Sequence, residues 1–196
     1  DHYFQLHDCP MLYSKPDTAS VNVSGVEITV AVYSPEGNLN AKEIMDELEP
    51  IFHAAADYLG GDLPAELYTV LIYGMSMKDM MMGVGALEHH TSTVVNIPDI
   101  SNNYMKMVAG EGGMTQLLRD IVSHEFFHIV TPLNIHSEQI ADFDFMNPSM
   151  SQHLWLYEGV TEYNSNISQV RYGILTEDEF MKNMRDKMKN SHSFNE

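Results

Sequence analysis

The octapeptide SHEFFHIV, residues 123–130, sets two histidines four positions apart, with a glutamate directly after the first. On a helix, residues i and i+4 lie one turn apart on the same face, so His124 and His128 can turn both imidazoles towards one ion. Glu125 is rotated by about 100° from His124, which puts its carboxylate beside that ion. From there a carboxylate could take a proton from a metal-bound water, so the spacing points to metal-assisted hydrolysis. Ten histidines in 196 residues raise the rate of a chance pair, so the pair needs a third ligand.

Two imidazoles are an incomplete catalytic zinc site, which needs a third protein ligand and one open position. A third histidine in the pattern H-E-x-x-H-x-x-G-x-x-H is absent, because Thr131 and Asn134 occupy the glycine and histidine slots. His136 comes two residues too late. The other solution takes a glutamate from a second helix. Glu158, thirty positions after His128 in LWLYEGVTEY, suits it: its Trp-Leu-Tyr neighbourhood reads as buried, and a buried carboxylate needs a cation or hydrogen bonds. Gly159 costs helix propensity, and close approach of the two helices is the expected reason. Glu162, one turn on, could accept the ring N–H of a ligating histidine, or it could be a solvated acid.

Those residues need two helices to carry them. Leu117, Leu118, Ile121, Val122 and Ile129 recur at helical spacing, which predicts a helix from Gly112–Gly113 to near Thr131–Pro132. A second helix is predicted from Asn147 as cap, with Pro148 in its first turn. A third follows Thr176, with Glu179 completing a capping box. Ahead of these, Val26, Ile28, Val30 and Val32 alternate as in a strand, with Ser24–Gly25 as the turn from Val21–Val23. NAKE (40–43) reads as a helix start. Its apolar positions run from Ile44 to Leu59, Pro50 is expected to kink it, and Gly60–Gly61 stops it. LYTVLIYG (67–74) and TSTVVNIP (91–98) read as buried strands. Between them MSMKDMMMGVGALEHH reads as a loop whose methionines are flexible apolar filler. The fold class is α+β: a small N-terminal sheet followed by a helical part that carries the zinc site, in one domain over 1–196.

Composition narrows the partners. An apolar fraction of 44% and a charged fraction of 19% are those of a globular domain rather than a disordered segment. A net charge of −18 argues against nucleic acid or an anionic membrane surface and is compatible with a cationic ligand. No apolar run approaches a membrane-spanning length, so no membrane insertion is expected. Cys9, the single cysteine, excludes an internal disulfide. The chain opens on Asp1, which reads as an excised core of a longer multidomain protein. Localisation is left open, with a periplasmic or secreted setting favoured over the cytoplasm.

With H-E-x-x-H and E-G-x-T in place, the chain resembles the glycyl aminopeptidase family of zinc metallopeptidases, relatives of aminopeptidase N and thermolysin. The likeness runs through HDCPML, the strand region 20–33, GALEHHTST, SHEFFH, HLWLYEGVTEY and RYGILTEDEF. It implies a thermolysin-like zincin catalytic domain, one zinc ion, and release of N-terminal glycine or alanine. His124, His128 and Glu158 match the zinc ligands and Glu125 the general base. GALEH (85–89) falls where aminopeptidase N reads G-A-M-E-N, the edge that binds substrate. Gly85, Ala86, Glu88 and His89 are therefore the substrate-binding candidates, with Glu88 on the free α-amino group. A carboxylate facing an ammonium in a poorly hydrated groove is a strong charge-assisted contact. Thr93–Ile97, if at a sheet edge, could pair with the substrate backbone. The basic stretch resembling K-R-I-R-P after the second histidine is replaced by LNIHSEQI (133–140). An oxyanion donor downstream of the glutamate ligand has no motif here, Tyr163 and Tyr172 being the local tyrosines.

The expected reaction is hydrolysis of a peptide with a free N-terminus by Glu-assisted attack of zinc-bound water. Two alternatives stay open: an endopeptidase on the same scaffold with Glu88 uninvolved, and a peptide-binding module in which catalysis is incomplete.

Overall fold

A computed structural model describes residues 3–193 apart from Met77, Met80 and Met82. Its centre is a five-stranded mixed sheet, β1 (Asp17–Val23), β2 (Val26–Tyr33), β3 (Leu67–Met75), β4 (Gly85–His89) and β5 (Ser92–Pro98), in the order β1-β2-β3-β5-β4. The β2–β3 and β3–β5 pairs are parallel, and β1–β2 and β5–β4 antiparallel. Ser24 and Gly25, both at positive φ (51° and 87°), make the two-residue turn that lets β1 fold back on β2. The described residues also form seven helices: α1 (Tyr3–Asp8), α2 (Ala41–Tyr58), α3 (Asn102–Ala109), α4 (Gly113–Phe127), α5 (Glu138–Ala141), α6 (Leu154–Tyr172) and α7 (Glu177–Ser191). The class is α+β, as the sequence indicated. No helix among the described residues is long and apolar enough to cross a membrane.

Helix α2 packs on β1 and β2, α4 packs on β4 and β5, and both meet α6. Phe52, Tyr68, Phe126 and Phe127, each under 2% exposed, fill the space between. Phe126 meets Phe52 and Tyr68 edge to face at 5.1 and 4.9 Å, so the helix that bears the histidines is anchored from below by aromatic contacts. Asn40 caps α2 through the Glu43 N–H. The helix then runs on through Pro50 rather than breaking there. The carbonyl that Pro50 leaves without an N–H partner belongs to Asp46, and both residues are exposed, so no buried polar group is orphaned.

Three features differ from the sequence expectations. The stretch before residue 90 is not wholly a loop, since 85–89 forms edge strand β4; five residues after two glycines are too short a run for periodicity to show. Thr93–Ile97 is not at an edge, because β5 lies between β3 and β4. α6 starts at Leu154, not at Asn147. Asp144 accepts the N–H groups of Met146 and Asn147, and Ser151 that of His153, so local side-chain bonds hold this segment in turns. α3 escaped the periodicity. It supplies Asn102, whose side chain accepts the Met114 N–H at the start of α4. There Gly113 has φ +55°, and a Cβ would lie 2.5 Å from that same Asn102 oxygen, so only glycine fits. The methionine-rich stretch divides: Met75 is buried and Met81 is 97% exposed, while Met77, Met80 and Met82 lie outside the described residues.

Candidate active site

The last turns of α4 carry the H-E-x-x-H residues. At its end the hydrogen bonds tighten to an i−3 pattern, with His128 N–H on the Glu125 carbonyl and Ile129 N–H on that of Phe126. The buried Tyr68 hydroxyl also donates to the Glu125 carbonyl, at 3.3 Å. His128 is 1% exposed, and its Nδ1 lies 2.9 Å from the Thr131 carbonyl. A carbonyl only accepts, so Nδ1 bears the hydrogen and the neutral ring keeps its Nε2 lone pair free. The Thr161 hydroxyl, from α6, donates to the same carbonyl at 3.2 Å.

His124 is fixed in the same way by a carboxylate, with its Nδ1 2.9 Å from Glu162 Oε2. The other Glu162 oxygen receives Asn166 Nδ2 at 2.7 Å and Lys187 Nζ, from α7, at 2.9 Å. The hydrogen bond from His124, aided by Lys187 against the effect of burial, holds the Glu162 carboxyl down at about 2. Burial disfavours a charged His124 ring. The hydrogen bond and charge of Glu162, with the charges of Glu125 and Glu158, outweigh it and raise the ring's pKa.

Both Nε2 atoms then turn to one oxygen. Glu158 Oε2 lies 3.1 Å from His124 Nε2 and 3.9 Å from His128 Nε2. These three residues can place one ligand atom each within 4.8 Å of one another, as can Glu88, Glu125 and His128. Two imidazole lone pairs and a carboxylate repel unless a cation sits among them. A proton on His124 relieves one of these contacts, while a metal ion relieves all three. Two nitrogens, one oxygen and hydrogen-bonded outer ring atoms form a donor set that fits a metal ion.

Glu125 stands beside this cluster at 8% exposure, and its Oε2 has no hydrogen-bond partner among the described residues. Burial, against the pull of His124 and with the charges of Glu88 and Glu158, pushes its carboxyl up to about 7. A buried carboxyl with a free oxygen and a near-neutral pKa is suited to accepting and returning a proton.

The sequence-predicted residues divide by position. Of the candidates on β4, Ala86 and Glu88 fall on the side facing α4, and Ala86 borders a cavity together with His124 and Glu125. Gly85 opens the strand with free space around it. His89, the next residue after Glu88, is held elsewhere: its Nδ1 lies 3.2 Å from Asp8 of α1. Alternation of side chains along a strand is the reason. His136 rests on the Pro132 carbonyl at 2.8 Å and is not among the grouped ligands. Tyr163 packs on Phe180 and Tyr172 is 47% exposed.

Neither burial nor close helix packing singles out Glu158. Trp155 is 72% exposed and the Glu158 side chain 46%, so burial by aromatic neighbours is not what marks it. A Cβ on Gly159 would meet nothing within 4 Å, so close helix packing does not require that glycine. Lys187, Thr161, Asn166 and Tyr68 were missed. Thr161 and Asn166 had a sequence signal, since they lie one turn from Glu158 and Glu162 on the same helix.

No curated protein matches the chain. Its fold is similar to the crystal structure of an aminopeptidase N family protein from Idiomarina loihiensis, with a TM-score of 0.68 and 21% identity. That match covers 85% of this chain and 27% of the other, so this chain spans only about a quarter of that protein's length. The model of the M61 glycyl aminopeptidase family matches residues 117–195, the segment that holds His124, Glu125, His128, Glu158 and Glu162. Over that segment the chain is similar to the M61 glycyl aminopeptidase family.

Proposed function

We propose that this chain is the thermolysin-like catalytic core of a zinc aminopeptidase that removes glycine or alanine from the N-terminus of peptides. The observation that carries the reading is the convergence of His124 Nε2 and His128 Nε2 on the Glu158 carboxylate, with an unpaired Glu125 beside them. His124, His128 and Glu158 would hold the ion, with Glu162 and the Thr131 carbonyl fixing the two rings. Zinc in such a site acts as a Lewis acid and lowers the pKa of water towards neutrality. Glu125 takes the proton of the attacking water and returns it to the leaving amine. The outer edge of β4 pairs with the extended substrate backbone, and Glu88 receives the free α-ammonium, which limits cleavage to the first peptide bond.

A pair of glycyl peptides, one with a free amine and one acetylated, tests this assignment on the zinc-loaded protein. Release of glycine from the free peptide alone is the expected result. Equal cleavage of the twins would make the enzyme an endopeptidase and leave Glu88 without this role.

A further inference from the structure

A cavity of about 470 Å³ opens beside His124 and Glu125 and runs between α4, α6 and α7. Its wall is polar: Asp120 from α4, Asn166 and Gln169 from α6, and Asn183, Asp186 and Asn190 from α7. Two of the lining side chains, Glu125 and Gln169, are more than nine-tenths buried, and each has an oxygen with no hydrogen-bond partner among the described residues. Buried unpaired oxygens on the wall of a cavity call for a donor from a ligand.

The direction of a bound peptide identifies what enters. Glu88 groups with Glu125 and His128. Ala86, two residues back on the same strand face and about 7 Å away, borders the cavity with Ile121 and His124. A peptide held by its ammonium at Glu88, and cut beside Glu125, must carry its next residue past Ala86 into this cavity. That step rests on the aminopeptidase reading given above.

Charge decides the kind of side chain. Glu162 is matched by Lys187 at 2.9 Å and Asp186 by Lys182 at 3.1 Å. Asp120 makes no hydrogen bond or ion pair among the described residues, and the charge of Lys187, the one cation on the wall, reaches it as well as Glu162. Asp120, Glu162 and Asp186 outnumber that cation, so negative charge is left for an incoming one. The net charge of −18 attracts the same ligands at longer range. We propose that this cavity is the subsite for the residue on the leaving side of the cut bond, and that it selects lysine or arginine there.

The test uses the zinc-loaded Glu125→Gln protein, which stops turnover, and measures binding of glycyl-lysine amide, glycyl-leucine amide and glycyl-glutamate amide by calorimetry. The lysine peptide should bind about tenfold more tightly than the glutamate peptide, the gap that one ion pair gained and one repulsion avoided supply together. Adding Asp120→Asn should shrink that gap to about twofold, and Asp120→Lys should reverse the order. Equal binding of the three peptides, no binding of any, or a lysine preference that survives both substitutions would overturn the subsite. Glycine release by the unsubstituted protein from the same peptides separates the two claims. Lysine-selective binding without release would refute the peptidase, and with it the leaving-side assignment, and leave the cavity as a binding site for a basic side chain only.

Discussion

Glu125 has an environment that fits chemistry better than stability. The residue is 8% exposed, its Oε2 has no partner among the described residues, and its carboxyl is raised from 4.5 to about 7, chiefly by burial. Glu125→Gln should therefore keep the metal ligands and lose about a thousandfold or more in kcat, checked by zinc content and glycine release together. Unchanged turnover would remove Glu125 from the mechanism. The same shift has a signature in the metal-free protein. The folded state holds this proton to higher pH than the unfolded chain does, so stability is lost as pH rises from about 4.5 to about 7, by roughly 3 kcal/mol. Metal-free Glu125→Gln should melt several degrees above metal-free wild type at pH 8, with the gap nearly closed at pH 5; a gap that does not vary with pH would contradict the burial account. At this scale helical spacing made legible which side chains the fold brings together, His124, Glu125, His128, Glu158 and Glu162. It was not legible for Lys187 or the Thr131 carbonyl, which reach the site only through tertiary contact.

The elements hold these residues by unequal means. α4 is anchored in the core by Phe126 and Phe127, whereas α7 has no buried residue. α7 reaches the site through Lys187 on Glu162 and through Asn183 Nδ2, 3.4 Å from Asn166 Oδ1. Lys187→Met should weaken zinc binding about tenfold by loosening the carboxylate that orients His124. Because Lys187 is half exposed, its loss should hardly move the melting of the metal-free protein. Chelator competition reads the first effect, and Lys187→Arg should restore it; equal zinc affinity in all three proteins would show that α7 does not position the site. In α6, Gly159 lies in a helix interior with open space around it, so Gly159→Ala should stabilise the fold by about 1 kcal/mol. A lower melting temperature would mean that something here needs the missing side chain. Capping residues made α2 and α7 readable from the sequence. β4 and α3 were not, because five- and eight-residue elements carry too few periods, and the start of α6 was masked by Asx and serine turns.

At the scale of the whole molecule, the mixed sheet puts β4 at its edge, and α4 packs against it so that Glu125 and His128 group with Glu88. The sequence conveyed the α+β class and the order of strands with one helix among them before a run of helices, since alternation and helical periodicity are local. Strand order is not local, and the expectation that Thr93–Ile97 could serve as the edge failed for that reason. The account stands on three side chains, from two helices, that share one cation. Zinc titration of the metal-free protein under chelator competition, with His124→Ala, His128→Ala and Glu158→Ala in parallel, measures this directly. The expected result is one ion per chain, a rise in melting temperature on binding, and a loss of affinity of about a hundredfold or more in each variant. Full affinity retained without Glu158, or in either histidine variant, would contradict it.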